Sequence, residues 1–303
     1  MNNIILHHYE LSPFSEKIRR ILAYKGIPWS AVEQPIMAPK PELTPLTGGY
    51  RRIPVMQIGA DVYCDTALIV RRLEELHPQR SVIPQSLAGA AALLEDWADH
   101  RLFMNVVPPT LIDLFDSLPP GFLEDRAAMT SGFSREAIIE AAPHALAQTR
   151  HALDNLDAQL AVTDFLLGEN FTIADAACFH PVRFLMNSPR LAAEIVQRSA
   201  LAKWVKRIQD FGAGEVESLN ADEALAVARN AQPEDIGGDS IAIEDYALGD
   251  TVTISADDYG TETTIGKLVR IRPNQITVVR RDADVGDVAV HYPRAGYRVS
   301  KES

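Results

Sequence analysis

The chain has 303 residues, which exceeds one typical domain and predicts two or three. Apolar residues make up 47% of it and charged residues 23%, a composition that excludes an intrinsically disordered protein. The net charge of −12 argues against nucleic acid or an anionic membrane surface as its partner.

The cysteines and the apolar runs limit the class of protein further. Cys64 and Cys178 are too few for a disulfide framework or a zinc cluster. No apolar run approaches the ~20 residues of a membrane helix, and the first residues lack the basic and apolar parts of a secretory signal. We therefore expect a cytoplasmic protein that has no metal site and does not bind a membrane.

The first 80 residues alternate strand and helix patterns. Ser12 is typical of a helix N-cap, an apolar stripe follows at helical spacing, and Gly26 is placed to end that helix. The predicted order is strand 3–9, helix 14–25, strand 29–36, a stretch broken by Pro and Gly, hairpin strands 55–58 and 62–64, and helix 66–77. This order predicts a thioredoxin-like α/β domain at residues 1–80.

Residues 86–231 show helical periodicity almost throughout and predict an all-helical domain. The main helices are expected at residues 87–105, 135–160, 173–187, 200–211 and 222–231. One helix start is well signalled, because Thr172 and Asp175 have the spacing of a capping box.

Residues 239–303 have a different pattern, rich in Val, Ile, Thr and Tyr and divided by turn residues. Five short strands are predicted near residues 251–255, 264–271, 275–281, 286–292 and 296–300. An open sheet this small would leave costly edges, so we expect a small closed barrel. Gly-Asp-Thr-Val at residues 249–252 loosely resembles SH3-like barrels.

Several short motifs in residues 1–235 occur together in one order. They are Ser-Pro-Phe-Ser at residues 12–15, Lys-Pro-Glu at 40–42, Ile-Pro-Val at 53–55, Asp-Thr at 65–66 and the capping box at 172–175. In this order they resemble the cytosolic glutathione transferases, in which a thioredoxin-like domain precedes an all-helical one. Residues 12–15 stand where omega-class members have Cys-Pro-Phe-Cys. Serine at both positions argues against disulfide exchange, which needs a protein thiolate.

The resemblance implies that glutathione is bound as a co-substrate and that a hydroxyl stabilises its thiolate. Ser12 is our first choice for this hydroxyl, Ser15 our second and Tyr9 our third. A helix N-terminus favours thiolate over thiol, and a hydrogen bond to the charged sulfur adds ~1.5–3 kcal/mol. The alternative for Ser12 is a simple helix cap.

The resemblance also assigns residues to the rest of glutathione. Asp65 would meet its ammonium group, and Thr66 with the nearby amides would meet its γ-glutamyl carboxylate. The family's proline is cis, which would free the Ile53 backbone to pair with the cysteinyl part. Lys40, and either Arg51 or Arg52, would meet the glycyl carboxylate. The predicted glutathione-binding residues are Phe14, Lys40, Arg52, Ile53, Pro54, Asp65 and Thr66.

The second substrate is expected to be a small hydrophobic electrophile bound between the first two domains. Its identity stays open. The predicted wall residues are Trp97, His100, Phe103 and Met104. The resemblance further implies a homodimer.

Two functions remain open. The retained motifs favour a glutathione transferase that attacks the electrophile with the glutathione thiolate. Segment 239–303 lies outside the resemblance, and serines replace both cysteines of the omega-class motif. These two features favour a non-catalytic binding or assembly protein that contacts a partner through its barrel. In either case we expect this segment to hold none of the glutathione-binding residues and to pack against the helical domain or across a dimer.

Overall fold

The computed structural model describes residues 3–236, 240, 241 and 245–301. Within these ranges no helix has the length and apolar character that crossing a membrane requires. The predicted domain boundary at residue 239 lies outside the described residues, and the three domain ranges stay predictions.

The first elements form the predicted thioredoxin-like domain. They are β1 (Ile5–His8), α1 (Pro13–Lys25), β2 (Trp29–Glu33), α2 (Thr44–Thr47), β3 (Val55–Ile58), β4 (Asp61–Cys64) and α3 (Thr66–Leu76). Strand β1 runs parallel to β2 and antiparallel to β3, and β3 pairs antiparallel with β4. The short helix α2 lies in the stretch broken by Pro and Gly, where no helix was predicted.

Helix α1 forms where its end signals predict it. Ser12 caps its start, and Gly26 ends it with φ 67°, a left-handed conformation that glycine adopts at low cost. Its apolar residues Ile18, Ile21 and Leu22 are completely buried in a core shared with the helical domain. This burial holds the N-terminus of α1 in place at the end of β1.

The predicted all-helical domain follows. Its helices are α4 (Ala88–Asp96), a π-helical turn (Trp97–Leu102), α5 (Phe103–Leu114), α6 (Phe122–Met129), α7 (Arg135–Leu160), α8 (Ile173–Leu185), α9 (Pro189–Val196), α10 (Ser199–Gln209) and α11 (Ala221–Arg229). Helix α8 is buried on all sides and packs against α1. Between α10 and α11 the chain returns to the sheet, where β5 (Val216–Ser218) pairs parallel with β2.

The C-terminal segment contains the five predicted strands. They are β6 (Thr251–Ala256), β7 (Thr264–Arg272), β8 (Gln275–Asp282), β9 (Gly286–Pro293) and β10 (Tyr297–Lys301). Their order in the sheet is β10-β6-β7-β8-β9, with antiparallel pairing throughout.

The predicted SH3-like barrel is not confirmed, because this sheet is not closed. The far side of β9 pairs in parallel with β4, where Val62 lies opposite Val290. One sheet of ten strands therefore runs from β10 to β5. The sequence argument assumed that closure would remove the free edges of the five strands. Here β4 of the thioredoxin-like domain covers one of those edges instead.

Polar and apolar contacts hold β4 and β9 together. Nε2 of His291 lies 2.9 Å from Oδ1 of Asp61, and the His291 ring stacks on Tyr63 with centroids 4.4 Å apart. Val62 of β4 and Val290 of β9 belong to the same apolar core. The C-terminal strands therefore pack on the N-terminal sheet, which the sequence did not predict.

Candidate active site

Three of the predicted motifs lie at one end of the N-terminal sheet. Val55, the first residue of β3, pairs with β1 on one side and with β4 on the other. Pro54 directly precedes this residue, and the Ile53–Pro54 peptide bond is cis. Because β1 and β4 both run toward this end, Ser12 and Asp65, which follow them, lie near Pro54.

Ser12 and Ser15 lie together at the N-terminus of α1. Oγ of Ser12 accepts a hydrogen bond from the Ser15 backbone N–H at 3.2 Å, and both residues are buried. Oγ of Ser15 has no hydrogen-bond partner among the described residues. Two buried hydroxyls thus lie at a helix end that favours an anion.

Tyr9 and Lys40 form a neighbouring pair. Nζ of Lys40 lies 5.7 Å from the centre of the Tyr9 ring and contacts the backbone oxygen of Pro35. Burial, with further repulsion from Arg126 and Arg51, lowers the pKa of Lys40 to about 8. The charged form of this group is therefore less favoured than that of an exposed lysine.

Asp65 and Thr66 begin α3. Asp65 has φ 75°, which is uncommon for a residue other than glycine, and its Oδ1 accepts the Ala67 N–H at 3.1 Å. Its Oδ2 accepts a hydrogen bond from the Tyr297 hydroxyl at 3.1 Å. Oγ1 of Thr66 accepts one from Nζ of Lys17, also at 3.1 Å.

A buried charge network beneath Thr66 was not predicted. Nζ of Lys17 lies 2.8 Å from Oε1 of Glu95 and 2.6 Å from Oδ2 of Asp99. Oδ1 of Asp99 lies 2.9 Å from Nε2 of His180. Burial would lower the pKa of Lys17, but Asp99 and Glu95 outweigh it and hold this pKa above its ordinary value.

The predicted wall residues of the second substrate separate into two groups. The Phe14 ring packs against Phe103 and His180, with centroids 4.9 and 4.5 Å apart. Phe103 therefore contacts a predicted glutathione-binding residue, and the buried His180 ring contacts both phenylalanines. Trp97 instead lines a cleft toward α7.

The other two predicted wall residues, His100 and Met104, are exposed. His100 Nδ1 lies 2.9 Å from the backbone oxygen of Asp96, four residues earlier. Among the described residues, neither forms a side-chain hydrogen bond, ion pair or ring contact with a predicted glutathione-binding residue.

The C-terminal strands reach two predicted glutathione-binding residues. Asp258 forms an ion pair with Arg52, whose guanidinium also lies 5.6 Å from the Tyr259 ring centre. Tyr297 contacts Asp65, as described above. This segment therefore contacts predicted glutathione-binding residues, although none of those residues belongs to it. In the described part of the chain, no group of three or more His, Cys, Asp or Glu residues is arranged to hold a metal ion.

Two family models match this chain. The model "Glutathione S-transferase, N-terminal domain" matches residues 6–81, and the model "Glutathione S-transferase, C-terminal domain" matches residues 136–207. A comparison with curated proteins found no match.

Solved structures extend this similarity. A GST-like protein from Pseudomonas syringae is 34% identical, with a TM-score of 0.84 over 100% of both chains. A glutathione S-transferase from Rhodospirillum rubrum F11 is 19% identical, with a TM-score of 0.56 over 69% of this chain and 89% of its own. A glutathione S-transferase from Methylobacterium radiotolerans, in complex with glutathione sulfonate, is 19% identical, with a TM-score of 0.51 over 70% and 92%. The chain belongs to the glutathione S-transferase family.

Proposed function

We propose that this protein is a glutathione transferase that activates the glutathione thiol and presents it to a small apolar electrophile. One observation carries the proposal. Ser12, Pro54 and the Asp65–Thr66 pair come from separate segments and lie at the same end of the sheet. A cytoplasmic location and a homodimer remain predictions.

The N-terminus of α1 is suited to a thiolate. Its first amides and its dipole favour negative charge. The Ser12 oxygen accepts the Ser15 N–H, and its own proton is free to donate to sulfur. Such a bond lowers a thiol pKa by about one to two units, because ~1.5–3 kcal/mol corresponds to that shift. Ser15, whose hydroxyl is unpartnered among the described residues, is the second candidate and Tyr9 the third.

The rest of the ligand has matching chemistry at this end of the sheet. The Asp65 carboxylate suits the ammonium group, and Thr66 with the first amides of α3 suits the γ-glutamyl carboxylate. The Ile53 backbone is assigned to the cysteinyl part. Lys40 is assigned to the glycyl carboxylate, since Arg52 already pairs with Asp258.

The reaction uses only the bound thiolate and the electrophile. The thiol proton leaves to solvent, and the sulfur electron pair forms a C–S bond to the electrophilic carbon. The leaving group departs with its own electron pair, or a polarised double bond takes up the charge and then a proton. Phe14 and Phe103 provide an apolar surface beside this sulfur, which favours an apolar electrophile.

Calorimetric titration of the full chain with glutathione tests this proposal. We expect saturable binding, and we expect Asp65→Ala to weaken it by ~1–3 kcal/mol because the ammonium loses its charged partner. Glu169→Ala, which removes an exposed carboxylate from the loop before α8, is the control and should leave the affinity unchanged. A wild-type protein that does not bind glutathione would falsify the proposal.

Turnover separates the enzyme from the non-catalytic alternative. An activated aryl halide should be consumed at a rate that depends on glutathione and on Ser12. Binding without any turnover, tested across several electrophile classes, would favour the binding or assembly protein. The pairing of β9 with β4 argues against that alternative, because it removes one sheet edge that a partner would use.

A further inference from the structure

The C-terminal strands contribute one side chain to the proposed ligand site. Tyr297, the first residue of β10, donates its hydroxyl to Oδ2 of Asp65 at 3.1 Å. We propose that Tyr297 is a positioning residue, which holds the Asp65 carboxylate in the orientation that receives the ammonium group of the thiol substrate. This inference rests on the proposed function.

Two hydrogen bonds hold the Asp65 side chain. Its backbone has φ 75°, where a residue other than glycine is strained. Its Oδ1 is held by the Ala67 N–H, and the Tyr297 hydroxyl holds Oδ2. A carboxylate oxygen accepts more than one hydrogen bond. The contact with Tyr297 therefore fixes the group and still leaves it able to accept from an ammonium group.

Tyr297 is itself held firmly. Its ring centre lies 5.2 Å from that of Tyr292 and 6.4 Å from that of Tyr50. The Tyr292 hydroxyl in turn lies 2.6 Å from Oγ1 of Thr264. Burial, together with the charge of Asp65, raises the pKa of the Tyr297 hydroxyl well above its ordinary value. The hydroxyl therefore remains a neutral donor at physiological pH.

The loop between β6 and β7 is anchored near the same site. Asp258 pairs with Arg52, and the backbones of Gly49 and Thr263 approach so closely that a Cβ on Gly49 would lie 2.5 Å from the Thr263 oxygen. These contacts join the C-terminal strands to the residues around the site. Tyr297 is thus placed by several contacts, of which its bond to Asp65 is one.

The test uses the full chain and the variant Tyr297→Phe, which keeps the ring and removes the hydroxyl. We expect its dissociation constant for glutathione to rise about 10-fold, equivalent to about 1.4 kcal/mol. Turnover at saturating glutathione should not change, because Asp65 contacts a remote part of the ligand. Tyr246→Phe is the matched control. The Tyr246 hydroxyl donates a hydrogen bond to the backbone oxygen of Val299, which also lies in β10. Tyr246→Phe should therefore bind glutathione as the wild type does.

A second ligand distinguishes positioning from a general structural effect. The probe is glutathione whose amino group is replaced by hydrogen. Wild-type protein should bind this analogue more weakly than glutathione, and Tyr297→Phe should lose much of that discrimination. In an Asp65→Asn background, Tyr297→Phe should change the affinity for glutathione no further.

Three outcomes would overturn the inference while leaving the proposed function standing. They are unchanged glutathione affinity in Tyr297→Phe, tighter binding, which would mean that the hydroxyl competes with the ammonium group, and an equal loss of affinity for both ligands. Wild-type protein that binds no glutathione would remove the proposed function and this inference together.

Discussion

The sequence allows two roles for Ser12, and its hydrogen bonding is compatible with both. A serine before Pro13 is read either as a helix cap or as the group that activates a thiol. As a cap, its oxygen accepts the Ser15 N–H, and this leaves its proton unused. The two roles use different parts of one hydroxyl, so a single residue can perform both.

Replacing Ser12 by Ala should raise the pKa of the bound glutathione thiol by about one to two units. Turnover near neutral pH should fall roughly 10–100-fold, because less of the thiol is ionised there. Titration of thiolate absorbance in the complex measures the shift. The control is Ser134→Ala, which removes an equivalent cap from α7, where Ser134 Oγ accepts the Ala137 N–H at 3.1 Å.

An unchanged thiol pKa in Ser12→Ala would remove Ser12 from this role. If Ser15→Ala produced the shift instead, the second candidate would be the activating residue. A loss of turnover of equal size in Ser134→Ala would point to stability and not to thiol activation.

Helices α8 and α11 each begin with a capping box, and the environments of the two boxes differ. At α8, the Asp175 carboxylate is completely buried and accepts hydrogen bonds from Thr172, from the Leu166 N–H at 2.8 Å and from the Trp204 indole at 2.9 Å. At α11, Asn220 and Glu223 make the same reciprocal bonds at the surface. The capping box of α8 therefore connects several segments of the core, whereas that of α11 stabilises only the start of its own helix.

Asp175→Ala should lower the free energy of unfolding by about 3–5 kcal/mol, since the capping box is broken and buried donors are left without a partner. Glu223→Ala, which removes the equivalent residue of the α11 capping box, is the matched control and should cost about 1 kcal/mol or less. The midpoint of urea unfolding measures both. Equal losses in the two variants would show that burial of the α8 cap adds nothing to its stabilising effect.

The molecule as a whole is joined through one continuous sheet. Strands from the first and last parts of the chain lie side by side at β4 and β9, and they share an apolar core. The proposed site also draws on distant parts of the chain. It takes a cap from α1, a carboxylate from the start of α3 and a hydroxyl from β10.

A chain that ends at residue 232 tests this arrangement. This truncation removes β6–β10 and exposes the edge of β4 and part of the apolar core. We therefore expect the shortened chain to associate, as measured by sedimentation or light scattering. Helical circular dichroism should persist, because the helical core is separate from the lost strands. The affinity for glutathione should fall, since Tyr297 is lost. A truncated chain that stays monomeric and keeps full affinity for glutathione, with its helical signal intact, would contradict the expected association and the expected loss of affinity.

Local sequence signals predicted most of the elements and the thioredoxin-like and all-helical parts of the fold. The cap at Ser12, the end at Gly26 and the capping box at Thr172 act through neighbouring residues, so they are readable along the chain. The five C-terminal strands were predicted for the same reason. The order of the motifs also pointed to the family before any contact was known.

The sequence did contain a weak signal for Lys17. It lies on the apolar stripe of α1, three residues after Phe14 and four before Ile21. A lysine at such a position must be paired if it is buried. Its partners, Glu95 and Asp99, lie far away along the chain, so spacing could not identify them.

The amino-acid sequence alone was therefore sufficient for the helices, the strands, their caps and the candidate groups at residues 12, 54 and 65, since these depend on short-range backbone preferences and side-chain periodicity. It was insufficient for the partner of β9 and for the contacts of Lys17 and Tyr297. A strand with a free edge can pair with any other free edge of suitable shape. No local pattern therefore tells whether β9 pairs with β4 or the five strands close on themselves. In the folded chain β9 pairs with β4, and this arrangement brings the Tyr297 hydroxyl to Asp65.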